Sequence, residues 1–115
     1  MRWEHYRETI RRTAPSDAYV DLETKPLRAN TLLITDHISV ENKTTAYTSL
    51  RVGIKSAETF IPLEEEKVPA AGEVFWTRSS LQFLEHERVC CRLTGCTSAD
   101  VLEVTIQGRL YYLEA

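Results

Sequence analysis

The sequence predicts an all-β fold: an antiparallel β-sandwich, jelly-roll-like, of about eight strands with a short N-terminal arm or helix. Two observations carry this. From residue 17 onward, stretches of apolar and polar residues alternate with a period of two, which is the pattern of strands with one wet and one dry face. Turn-forming residues separate these stretches at short, regular spacing.

Each element follows in order. In residues 2–12, "RWEHYRETIRR", Trp3, Tyr6 and Ile10 recur at helical spacing, so a short helix is expected there, with four arginines around it. Alone it would be marginal, so it must dock on its own domain or on a neighbour. Pro15 and Ser16 close it, which divides the chain into an arm (1–14) and a single sandwich domain (15–115). "DAYVDLE" (17–23) sends Val20 and Leu22 one way, Tyr19 and Asp21 the other. "NTLLITDHISVEN" (30–42) aligns Leu32, Ile34, Ile38 and Val40, with Asp36 marking a bulge or a change of direction. "TAYTSLRVGIK" (45–55) turns Ala46, Leu50, Val52 and Ile54 inward and Tyr47, Ser49 and Arg51 outward. Pro62 puts "ETFIPLE" (58–64) at a sheet edge. Residues 67–73 are loop, and "EVFWTRSSLQFLE" (73–85) is one broken strand or two short ones. "ERVCCRLTG" (87–95) alternates Val89, Cys91 and Leu93 against Arg88, Cys90 and Arg92. "ADVLEVTIQG" (99–108) turns Leu102, Val104 and Ile106 inward, and "RLYYLE" (109–114) follows it.

With 115 residues and 43% hydrophobic composition, one domain can bury a core without disulfides or metal. A net charge of −3 argues against a general nucleic-acid binder, and no direct nucleic-acid partner is expected. No apolar run approaches the ~18 residues of a membrane helix, and no signal-like segment is present, so no membrane partner is expected either. Three cysteines leave at least one thiol unpaired within the chain, which suits a reducing compartment.

The cysteines are the first candidate for chemistry. Adjacent side chains on a strand point to opposite faces, so Cys90 and Cys91 do not converge on one metal with His86, and no metal or cofactor is expected. Cys91 belongs to the core. Cys90 lies outward between Arg88 and Arg92, where positive charge would favour a thiolate, and this trio is a candidate interface face. "TDHIS" offers Asp36, His37 and Ser39, but neighbours on a strand diverge, and no G-x-S-x-G elbow or phosphate-binding glycine pattern exists. No catalytic residue is therefore assigned. Either Phe75 or Trp76 points inward, and an outward Trp76 with Arg78 and His37 could stack on a sugar, which makes a carbohydrate-binding module the alternative reading. Trp3, Tyr6 and Ile10 are large apolar groups on the arm, of the kind that anchors interfaces.

Residues 30–113 carry a further pattern. Val40 and Asn42 close a strand; Leu84, Glu85, Glu87 and Val89 form a turn and strand; Gly95, Thr97, Asp100, Leu102, Val104, Ile106 and Gly108 form a second turn and strand. His86 stands where the pattern prefers glycine. In these positions the chain resembles small β-sandwich structural proteins of tailed bacteriophages. That resemblance implies a non-enzymatic virion component, such as a capsid decoration, neck or tail protein, made in the bacterial host cytoplasm. It implies self-association as a homo-oligomer and binding to other virion proteins, and it carries no catalytic residues across.

Overall fold

The computed structural model describes residues 2–15, 19–67, 72–77 and 79–113. Among them there are nine strands and no helix: β1 (Arg2–Thr13), β2 (Tyr19–Glu23), β3 (Thr31–Asn42), β4 (Ser49–Ser56), β5 (Thr59–Lys67), β6 (Val74–Trp76), β7 (Leu81–Phe83), β8 (Arg88–Thr94) and β9 (Val101–Tyr112). They form two antiparallel sheets. The first runs β1-β9-β3-β6, with β7 also paired to β3; the second runs β2-β8-β4-β5. This is the β-sandwich that the alternating pattern predicts.

The N-terminal helix is not formed. Residues 2–13 are instead an extended strand, paired with β9 from Arg2↔Tyr112 to Thr13↔Val101. The helical spacing of Trp3, Tyr6 and Ile10 loses to twelve residues of cross-strand pairing, a case of tertiary context overriding a local pattern. Strand alternation then splits the three. Trp3 falls on the outer face with His5, Arg7 and Thr9, while Tyr6 and Ile10 fall on the inner face, half-buried against the core.

The bulge at Asp36 is present. The β3–β9 register shifts between Thr35 and His37. Its effect is larger than the sequence reading allows, because one extra residue reverses the phase of everything before it. Ile38 and Val40 point inward as expected, but ahead of the bulge Leu33 and Thr35 are the buried residues, and Leu32 and Ile34 turn outward. Tyr47 also differs. It is buried because it precedes β4, where alternation does not apply. Pro62 sits on β5, at the edge of the second sheet as expected, beside a register shift. β6 and β7 are the two short strands of the 73–85 segment; Phe75 points inward and Trp76 outward.

The core between the sheets is built from Leu33, Ile38, Val40, Phe83, Leu102, Val104 and Ile106 of the first, and Val20, Leu22, Leu50, Val52, Val89, Cys91 and Leu93 of the second. Each fully buried Leu, Ile, Val or Phe side chain contributes roughly 1.5–3 kcal/mol relative to exposure. One polar network closes the end of the sandwich. Asp100 and Asn42, both buried, meet through Asn42 Nδ2 at 2.8 Å. Asp100 also accepts from Thr45 Oγ1 at 2.6 Å and from the Thr97 N–H at 2.8 Å. Asn42 Oδ1 accepts from the N–H groups of Thr44 and Thr45 at 3.0 and 3.2 Å. Asn42, Thr97 and Asp100, three polar positions of the sequence pattern described above, thus tie together the loops after β3 and before β9. His86 takes the left-handed conformation (φ 68°) that the pattern's glycine would adopt freely.

Candidate functional site

Three surfaces hold the candidate residues. The first is the outer face of the second sheet. Alternation along β8 places Arg88, Cys90 and Arg92 there together, opposite Glu23, Asp21 and Lys55 of the flanking strands. Arg92 Nε and Nη2 donate to the two carboxylate oxygens of Asp21 at 2.8 and 3.0 Å, a fork-to-fork pair. The Arg92 guanidinium also lies over the rings of Tyr19 (4.1 Å) and Phe60 (4.6 Å), and both contacts are cation–π in geometry. Lys55 Nζ bridges Asp21 at 3.1 Å and Glu23 at 3.2 Å, and Arg88 donates to Glu23 at 3.1 Å.

Cys90 is tightly packed and is not the thiolate that its flanking arginines would favour. It lies on the predicted face but is fully buried beneath this charge lattice. Burial pushes its thiol up to about 12, and Asp21 and Glu23 push the same way, so the flanking cations do not produce a thiolate. The three cations are already committed to the two acids. Asp21, Glu23 and Cys90 could bring one ligand atom each within 4.8 Å of one another. The carboxylates, however, already accept from Lys55, Arg88 and Arg92, so the donor set is that of an ion-pair network and not of a vacant metal cage.

Thiol labelling checks this directly. Cys91 is fully buried and its thiol is raised by burial; Cys96 is half-buried, its thiol pushed up to about 11 by burial and by Asp100. At about pH 8, near the ordinary thiol range, we expect one slowly reacting thiol, Cys96, in the folded protein and all three in denaturant. Two or more fast equivalents in the native state would contradict the burial of Cys90.

The second surface is the outer face of the first sheet. Trp76, 57% exposed, stands opposite Ser39, and His37 lies two residues along β3 on the same side. The two therefore share a face. Arg78, their expected companion, lies outside the described residues. On the same face Thr9 and Thr105 side chains meet at 3.3 Å and Arg7 donates to Gln107 at 3.2 Å, and the charged group Arg11, Glu41, Lys43 and Glu103 lies beyond them.

The third surface is β1 itself. Its outer face ends in an aromatic group the sequence reading does not assemble. Trp3 packs edge-on to His5 (5.2 Å), lies 6.3 Å from Tyr111, and is covered by the Arg109 guanidinium at 5.2 Å. On the inner face Arg2 lies 4.2 Å over Tyr112, whose hydroxyl donates to Glu4 at 2.6 Å. The Tyr6 hydroxyl donates to Glu8, and burial raises it above its ordinary range. No sequence motif marks this cluster, because it depends on pairing Trp3 with Tyr111 across the length of the chain.

The fold defines the class: a two-sheet antiparallel β-sandwich. No family model and no curated protein matches the sequence. Among solved structures, the chain is similar to a protein of Bacillus endospore appendages, which form a novel family of disulfide-linked pili: TM-score 0.54, 14% identity, covering 97% of this chain and 89% of that one. It is similar also to dimeric latent PorU from Porphyromonas gingivalis (TM-score 0.39, 9% identity, 94% of this chain, 13% of that one). A family 35 carbohydrate binding module from Clostridium thermocellum gives TM-score 0.35 and 13% identity, over 96% of this chain and 92% of that one. At these identities the likeness is one of fold.

Proposed function

We propose that this chain is a non-enzymatic structural protein that works by self-association, as a component of a tailed-phage virion bound to neighbouring virion proteins. The observation that carries the reading is β1, a twelve-residue edge strand with half-exposed aromatic and apolar groups and a free hydrogen-bonding edge among the described residues. The fold likeness to a protein of disulfide-linked pili supports a sandwich suited to assembly. The passage of the chain back and forth between the two sheets supports the jelly-roll reading. Repeated copies presenting one edge and two faces can bury them by symmetry and so build a ring or lattice.

The purified protein is expected to form a defined, concentration-dependent oligomer by light scattering, and to co-sediment with phage particles in lysates of its source. A strict monomer at ~100 μM would overturn the self-association, since specific contacts of ordinary size hold well below that concentration. A protein absent from the particles would overturn the virion role.

One observation favours a second reading, a carbohydrate-binding module. Trp76 is the most exposed of the large apolar residues among those described, and it lies on the outer face of the first sheet opposite Ser39 and on the same side as His37. Glycan-array binding that is lost in Trp76→Ala would support it; no binding to any glycan would remove it.

A further inference from the structure

We infer that β1 is the seat of a two-fold contact between copies of this chain, in which two β1 strands pair antiparallel and join two first sheets into one. The inference rests on the self-association proposed above and names its surface and partner.

An unpaired strand edge recruits other strands unless it is short, covered or interrupted. β2 has five residues, and Arg12 Nη1 caps its backbone by donating to the Asp21 carbonyl at 2.9 Å. β5 carries Pro62 and a register shift between Val52 and Gly53 of its neighbour. β6 and β7 have three residues each. β1 has none of these protections: it runs twelve residues in continuous register with β9, with no proline, glycine or bulge. Its six charged side chains guard against indiscriminate pairing, and among the described residues they leave the edge open to a strand whose charges match.

The side chains then select the occupant. A two-fold axis perpendicular to the sheet keeps inner residues beside inner residues. Two such registers keep β1 paired over almost its whole length. The one centred on Arg7 sets Arg7 against Arg7 and Arg2 against Arg12 twice, with no ion pair in return. The one centred on Glu8 sets Glu4 against Arg12 twice and Tyr6 against Ile10 twice, at the cost of one Glu8–Glu8 pair beside the Tyr6 hydroxyls and of His5 set against Arg11 twice. The second register is complementary in charge, and it covers the two inner-face groups, Tyr6 and Ile10, that the core only partly buries.

The register makes its own test. In Glu4→Arg, the introduced guanidinium would face Arg12 twice in each dimer; in Arg12→Glu, the introduced carboxylate would face Glu4 twice. Both variants should lose about tenfold or more in self-association by analytical ultracentrifugation, since two attractive pairs become repulsive. Mixing the two variants should restore association, because each pair in the mixed dimer is again of opposite charge. Restoration on mixing cannot come from repaired folding, since the same two preparations are used throughout. If unmodified protein associates but neither variant weakens it, the self-association stands and the β1 contact is overturned. If both weaken it and mixing restores nothing, the antiparallel β1 pairing is overturned. If unmodified protein never associates, the wider reading falls and this contact with it.

Discussion

Gly108→Ala is expected to cost about 3 kcal/mol, at the upper end of what overpacking a core position costs, read as a lower urea midpoint at unchanged slope. A Cβ at Gly108 would stand 2.3 Å from the Ile34 carbonyl oxygen and 2.8 Å from the Thr35 Cα. Both are backbone, so neither can swing aside as a side chain would. The close approach comes from the bulge: Thr35 pairs with Gly108 just before the register shifts at Asp36, and the backbone there crowds β9. The second sheet repeats the arrangement. Gly53 faces the irregular part of β5, where a Cβ would lie 2.0 Å from the Ile61 carbonyl oxygen. An unchanged midpoint in Gly108→Ala would mean that β3 can shift its bulge at little cost.

Asp100→Ala is expected to be as damaging, at about 3 kcal/mol, because removing a buried charged acceptor strands its donors. Those donors are Asn42 Nδ2, Thr45 Oγ1 and the Thr97 N–H. The same network gives the protein an acid limb. Burial acts to raise the Asp100 carboxyl, but the hydrogen bonds from Asn42, Thr45 and Thr97 outweigh it and hold the group below its ordinary value. Asp21 is likewise held low: burial opposes ionisation, and the hydrogen bonds from Arg92 and Lys55 overcome it. A carboxyl whose folded value lies below its unfolded value contributes its full stabilisation above the unfolded value, about pH 4, and loses it as pH falls through the folded value. Stability should therefore be flat above about pH 5 in this respect and fall below about pH 4, and Asp100→Ala should flatten part of that fall. An acid limb identical in the variant would remove Asp100 from the account.

Much of this fold is legible in the residues. β2 and β9 up to Gly108 show clean alternation because neither carries an extra residue of its own, so a period of two survives along them. β1 misleads for the opposite reason. Its inner face mixes Glu4 and Glu8 with Tyr6 and Ile10, since an edge strand overhanging the core needs no continuous apolar stripe. That leaves the i, i+3, i+7 spacing of Trp3, Tyr6 and Ile10 as the only visible pattern, although β9 imposes extension. The Asp36 bulge can be placed from sequence, but its consequence for Leu32 and Ile34 requires keeping count through the extra residue. At the candidate sites, alternation gives the face of Cys90 and of Trp76 correctly. It cannot give the exposure of Cys90, which depends on Lys55, Asp21 and Glu23 arriving from two other strands.

The pairing of β1 with β9 bears on how the protein comes to be folded. β9 lies between β1 and β3 in the first sheet, yet it is the last of the nine strands in chain order. During synthesis the first sheet cannot close until β9 leaves the ribosome, roughly a hundred residues after β1, and such distant pairing slows folding toward the millisecond-to-second range. Until then the β1 residues lack the partner that holds them extended, and a chaperone that binds them would protect the segment during its longest wait.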